Sequence, residues 1–518
     1  MVTLTEELSQ WACATRLDAV PDRVVALAKS QVLSQLAAVR AGLAHPLGRR
    51  LVRAFGPPLQ ADAARGARVL AGLGSWLNLD DTAYAGHLSN STVAVPLAYA
   101  RARGLDGADL LTAVVTANEC AARVTAAATL GPFRGQTAAH TSLVGGVAGR
   151  LRAEGAPAER WADAFGLALS MPPWTLFPAY VGSDARALGA LVPVGMAMDA
   201  CDAADAGFAG LRDVIEHEDG FLARFATVPL PEVTTAGLGV RWHTDTLSFK
   251  VRPGGPGIDA AVDCALQLHR ELVPGGGLLD QAAVTGVVVD ASLYTVRVDR
   301  TSRPYMAGPA TPAGALPLSM AYAVATALLR GDLTTADFVA PAVHEAARWA
   351  LAGRITVVHD QRMTGELFSS VAPFGEALRQ AGERAKDFTA RFTADAGTAT
   401  AGGAPETDGP AINGPGTTGP VDPAASLEGS TKLTPARVTV RMADGRTVTR
   451  EGGIPVGAAG PETSRTHPEL VRAKFLAQGG DPGTADVLAD LEHADAADLA
   501  HALESALAPG ASTGRVAG

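Results

Sequence analysis

The sequence predicts a mainly α-helical protein into which a smaller α+β module is inserted. Three observations carry that reading. Up to about residue 245, apolar side chains recur at every third or fourth position. Between 246 and 451 several short runs alternate apolar and polar residues instead, and beyond 468 the helical spacing returns.

Residues 3–45 form the first helical region. Thr3 or Thr5 can cap it, and Leu4, Leu8, Trp11 and Ala12 share one face. Pro21 opens a second helix over 23–43, with Val24, Ala28, Val32 and Leu36 as its apolar stripe. An alanine-rich helix over 60–77 leads into Asn78-Leu79-Asp80-Asp81-Thr82-Ala83-Tyr84-Ala85-Gly86-His87. Helices follow over 93–103 and 108–130, separated by a Gly-Leu-Asp-Gly turn. His140 opens a helix containing Gly145, Gly146 and Gly149. Glycine inside a helix costs stability unless it permits close approach, so this helix is expected to be buried against another. Shorter helices over 161–170 and 185–200 flank the Pro172-Pro173 break.

In the inserted module, strands are expected over 246–251, 283–289, 294–298 and 355–359, with helices over 258–272, 319–329 and 335–350, the last broken or kinked at Pro341. Residues 395–431 carry almost no large apolar side chain. Such a segment buries too little surface to offset its ordering entropy, and a disordered or mobile insertion is expected. Asp444-Gly445 between alternating runs at 436–442 and 447–451 signals a hairpin, and helices over 468–477 and 483–508 close the chain.

With 43 basic and 53 acidic residues among 518, the formal charge is −10. That balance argues against nucleic acid as a partner, although a local convergence of Lys, Arg and His could still hold an anion. Cys13, Cys120, Cys201 and Cys264 are far apart, without metal-ligand spacing or a disulfide framework, which fits a reducing cytoplasm. No signal peptide is expected from the N-terminal pattern, and apolar runs such as 110–115 are too short to span a bilayer, so no membrane partner is expected. No HExxH, CxxC or phosphate-cradling loop is present.

The stretch 78–87 packs two carboxylates, a hydroxyl, a phenol and an imidazole into ten residues of a chain that is only 19% charged. Composition alone reads it as a turn whose Asp and Thr cap the next helix. Its other reading is one wall of a proton-handling site.

Several stretches together resemble the MmgE/PrpD family, which includes 2-methylcitrate dehydratase, cis-aconitate decarboxylase and iminodisuccinate epimerase. They are Ala28-Lys29-Ser30 through Ala41-Gly42-Leu43, Leu79-Asp80-Asp81-Thr82, His140-Thr141-Ser142 with Gly146 and Gly149, and Phe249-Lys250. Ser319-Met320-Ala321-Tyr322 ahead of Gly331, Ala443-Asp444-Gly445-Arg446-Thr447 and Glu469-Leu470-Val471-Arg472-Ala473-Lys474-Phe475 complete the set, in family order. The resemblance implies a large all-α domain built from both chain ends (1–247 and 457–518) and a smaller α+β lid domain (248–456). It also implies an active site in the cleft between them, a homodimer, and neither a metal nor an organic cofactor.

It further implies a small polycarboxylate substrate. His140 matches the histidine opening the glycine-rich helix, where helix-terminal amides could help it meet an anion. Thr82 matches a carboxylate donor, Lys250 a lysine at the lid edge, and Tyr305 lies near the family's lid tyrosine. Taken singly, these residues read as a structural histidine, a helix cap, an exposed strand-end lysine and a loop aromatic. Asn78 stands where the decarboxylase pattern has Asp, and an amide cannot take a proton. Arg186 stands where that pattern has Lys; it can clamp a carboxylate but is too basic to donate a proton at neutral pH. His87-Leu88-Ser89 replaces His-Pro-Ser, and an ungapped alignment from Pro96 puts Ser89 at the histidine position. The expected activity is a dehydratase or decarboxylase of a di- or tricarboxylate-like acid in a specialised, antibiotic-type biosynthetic pathway. Arg186, Lys250 and His140 would hold carboxylates, with Asn78 and Thr82 as further contacts, and His87 or Tyr305 would move the proton. An epimerase of a related acid and a non-catalytic binding relative are the alternatives.

Overall fold

A computed structural model describes residues 2–131, 136–397 and 422–508. Its helical part is layered around Gly107–Ala127, a helix buried along nearly its whole length and packed on Gln136–Ala153. The glycines of the second helix serve the expected purpose. A Cβ at Gly145 would stand 2.4 Å from Ser91 Oγ, and one at Gly149 would stand 2.8 Å from the Pro96 ring, so only glycine lets these backbones approach.

The two ends of the chain meet on Asp22–Ala44, which packs against Pro461–Ala477, Pro482–Ala489 and Ala496–Leu507. Polar groups fix that contact. Arg40 donates to the carbonyls of Gln478 and Ala508, Ser30 Oγ lies 2.7 Å from His467 Nδ1, and Lys474 Nζ donates to Ser34 Oγ at 2.7 Å.

The main sheet has four strands in the order Ile355–His359, Val284–Ala291, Ala436–Met442, Thr447–Gly452. The first pair is parallel and the others antiparallel. A parallel pair needs a crossover, and the chain between its two strands supplies it with helices that include Leu293–Ser302 and Met320–Arg330. A second, two-stranded sheet pairs Asp81–Thr82 with Ser248–Phe249.

Four expectations need correction. Residues 294–298 are helical, within Leu293–Ser302; their β-branched composition suggested a strand, but the Ser292 side chain accepts from Thr295 N and caps a helix. The strand expected over 246–251 shrinks to Ser248–Phe249, flanked by a 3-10 turn at His243–Thr246. The helix expected over 335–350 is two 3-10 turns followed by Ala346–Ala352. The single helix expected over 483–508 is split, with Asp481 and Asp495 each capping a separate segment. Of the insertion expected over 395–431, residues 398–421 lie outside the described residues. Its described end is held in place rather than loose: Leu427 is buried, and Arg241 donates to the Ala425 carbonyl.

One stretch among the described residues, Asp184–Asp205, is long and apolar enough to cross a membrane by length and composition. Within it a 3-10 turn at Asp184–Leu188 precedes Leu191–Asp205, which packs on three other helices.

Candidate active site

The segment after Ala63–Ser75 is tightly wound. Asn78 and Tyr84 have φ of 53° and 52°, a left-handed conformation that asparagine tolerates and tyrosine adopts rarely. Tyr84 is held there by its hydroxyl, 2.8 Å from His243 Nδ1, and by burial. Gly86 closes the turn back onto Ala83. A Cβ on Gly86 would stand 2.6 Å from Thr141 Oγ1.

This winding separates the two neighbouring carboxylates by role. Asp81 is fully buried and accepts from the backbone N–H groups of Leu88 and Ser89 at 3.2 and 3.0 Å, and from Gln31 Nε2 at 2.6 Å. It anchors the next helical turn. Asp80 accepts from Asn90 Nδ2 at 2.5 Å and lies 2.7 Å from His87 Nδ1. Burial pushes both carboxyl groups up. At Asp81 burial and the neighbouring Asp80 charge win; at Asp80 His87 and Lys250 overcome burial and hold it below the usual carboxylate range. With Nδ1 on Asp80, His87 has Nε2 left for chemistry.

His87 opens onto a cavity of about 210 Å³ that Asn78, Tyr180, Arg186, Tyr294 and Arg297 also line. Arg186 is 1% exposed. Its Nε donates to the Trp76 carbonyl at 2.8 Å and its guanidinium lies 5.0 Å from the centre of the Tyr180 ring. Its Nη1 has no hydrogen-bond partner among the described residues, while the nearby Asp184 pairs with Arg50 at 2.9 Å. A buried guanidinium nitrogen left without an acceptor is costly unless a ligand supplies one.

The short antiparallel pair carries Lys250 to the same place, with its backbone N–H donating to the Asp80 carbonyl. Its Nζ donates to the Gly254 carbonyl at 2.7 Å. Lys250, Thr82, Asp259 and Lys432 line a neighbouring cavity of about 30 Å³, which shares Pro256 with the larger one. Lys432 Nζ donates to Thr82 Oγ1 at 2.5 Å, and burial together with the Lys250 charge pulls Lys432 down to about 8. Below them, burial pulls Lys474 down to about 7, with its Nζ on Ser34 and on the Leu79 carbonyl.

Asn78, His87 and Arg186 therefore share one cavity, and Thr82 and Lys250 the adjoining one. His140 and Tyr305 are elsewhere. His140 lies inside Gln136–Ala153, one turn past its start, so the expected helix-terminal position is not observed. It is 1% exposed, with ring centroids 4.9 and 5.7 Å from Phe221 and Phe225, and neither ring nitrogen has a partner among the described residues. Burial pushes it down to about 3. Tyr305 stands one layer out, in a groove with Trp174 and Phe177.

Residues 6–233 match the MmgE/PrpD N-terminal domain and residues 255–386 the MmgE/PrpD C-terminal domain. The chain belongs to the MmgE/PrpD family. Its members are generally enzymes, 2-methylcitrate dehydratase among them, and the family includes dehydratases and decarboxylases. No curated protein matches the chain.

Lys432, Asp259 and Lys474 were absent from the candidates drawn from sequence. A signal for the lysines was present. Arginine is the ordinary cation of this chain, whose only lysines are Lys29, Lys250, Lys386, Lys432 and Lys474, and three of these converge beneath residues 79–82.

Proposed function

We propose that this MmgE/PrpD member is a cofactor-independent lyase acting on a small di- or tricarboxylate-like acid in a specialised biosynthetic pathway, working as a cytoplasmic homodimer. One observation carries the reading: buried Arg186, whose Nη1 has no partner among the described residues, lines the same cavity as His87, whose Nδ1 is held by Asp80. Arg186 clamps a substrate carboxylate. His87 Nε2 takes the proton from the carbon beside it, and Asp80 stabilises the imidazolium that forms. In a dehydration the C–H electrons form the new double bond as the C–O bond breaks, and the departing hydroxyl leaves as water after taking up a proton. In a decarboxylation His87 enters protonated instead: the C–C bond breaks, its electrons stay on the carbon as CO2 leaves, that carbon takes the proton from the imidazolium, and solvent restores it.

Incubating the protein with citrate, methylcitrate and cis-aconitate, while following unsaturated-acid absorbance and released CO2, tests this reading. Turnover that disappears in Arg186→Leu and His87→Ala supports it. Turnover that survives both would remove the site assignment, and inactivity on all three acids would remove a primary-metabolism substrate.

A further inference from the structure

The cavity around Arg186 shares part of its wall with a second space that a small acid does not need. At about 210 Å³ the inner cavity lies below the range of roughly 300–1,000 Å³ typical for drug-sized ligands and suits a compact acid. Thr175, Phe177 and Thr301 line it and also line an outer groove of about 590 Å³. The groove's remaining walls are mostly apolar, with Trp174, Leu176, Pro304 and Tyr305 among them. Trp174 is 40% exposed and Leu176 69%, an unusual concentration of bare apolar surface at the mouth of a polar site.

These walls are fixed by packing. The Trp174 ring lies 5.0 Å from Phe225, and Tyr305 is seated so closely on Gly182 that a Cβ there would come within 2.4 Å of its ring. One segment builds both spaces. It runs from Trp174 through Phe177–Gly182, whose Tyr180 lies under the Arg186 guanidinium, to Arg186 itself. The groove therefore adjoins the Arg186 cavity across Thr175, Phe177 and Thr301.

Resting on the lyase reading above, we infer that the substrate is an acid with an apolar arm, its carboxylate on Arg186 and its arm in the groove of Trp174, Leu176 and Tyr305. On this inference Tyr305 contacts the arm rather than the reacting atoms.

The test is calorimetric titration of the full chain with succinate, methylsuccinate, butylsuccinate and benzylsuccinate. Burying the added apolar area should tighten binding about tenfold or more from methylsuccinate to benzylsuccinate. Trp174→Ala and Leu176→Ala, each checked for an intact helical circular dichroism spectrum, should abolish that gain, read as the ratio of benzylsuccinate to succinate affinity. A flat series whose binding still depends on Arg186 would overturn the arm and leave the acid site standing. A flat series in a dimer that dissociates on Trp174→Glu would mean a second copy covers the groove, which also overturns the arm. Failure of every acid to bind would overturn the arm together with the lyase reading. A benzyl gain that survives Arg186→Leu would overturn the placement of the carboxylate.

Discussion

His87 stands at a cavity wall, 19% of its side chain exposed and Nδ1 2.7 Å from Asp80, whereas His140 is 1% exposed with neither ring nitrogen bonded among the described residues. The carboxylate beside His87 fixes its ring. Aromatic rings surround His140, and burial pushes it down to about 3. Both are imidazoles in recognisable motifs, yet their proton chemistry is set by neighbours that the motifs do not contain. A histidine becomes a base by being oriented and partly solvated.

The largest effects should fall on the oriented side of this comparison. His87→Ala should lower kcat/KM for the best acid of the panel by about 10²–10⁴, the usual worth of a placed general base. Wild-type turnover in that variant would dissolve the distinction between the two histidines. Asp80→Asn should cost a comparable amount, up to about 10⁴-fold in kcat with a smaller change in KM, because the amide can fix the wrong imidazole tautomer and withdraws the charge that stabilises the imidazolium. An unchanged kcat would reduce Asp80 to a structural acceptor for Asn90.

What the sequence revealed follows the same division between local and distant causes. The helices over 4–44 and 258–272 were legible because their apolar spacing lies within the element itself. The hairpin around Asp444-Gly445 was legible for the same reason. Leu293–Ser302 was not, since β-branched residues outweighed a single capping serine. At the site, Asp80, Asp81 and His87 lie within eight consecutive positions, so their proximity could be read directly. Lys432 reaches Thr82 across 350 positions and Lys474 reaches Leu79 across 395, contacts that no spacing rule encodes. The placement of His140 depends on Phe221 and Phe225, far along the chain, whose rings flank it and which its own motif does not contain.

On the buried side the expected effect is on stability. His140→Leu should keep kcat/KM within about threefold and make the protein more resistant to acid. The sign follows from the depressed folded value. Stability is full above the ordinary histidine range near 6.5 and is lost as pH falls toward 3, because the unfolded chain binds a proton there that the folded chain refuses. The Leu variant lacks that loss, so its Tm should decline less steeply between pH 6.5 and 3. A correctly folded but inactive variant would show that His140 serves the reaction from the core.

The smallest effect tests the lysines beneath the site. Lys474 is pulled from 10.5 to about 7, chiefly by burial, so the unfolded chain takes up its proton first as pH falls. Its contribution is therefore complete above 10.5 and shrinks continuously down to pH 7. Lys432, at about 8, acts in the same direction over a narrower span. The buried thiols of Cys201 and Cys264, pushed up to about 12 by burial, oppose this above pH 9, where the unfolded chain ionises them first. The clean window is thus pH 7–9, and there Tm should rise with pH. Lys474→Met should flatten that rise. Its absolute stability is the poorer readout, because removing Nζ leaves the Leu79 carbonyl and Ser34 without their donor, at a cost of about 1–3 kcal/mol that offsets the relief of burying no charge. The slope separates the two effects, since the lost hydrogen bonds do not titrate. A slope unchanged by Lys474→Met would mean that Lys474 keeps its proton through this range and that the Asp80-Asp81 charges beside it outweigh burial.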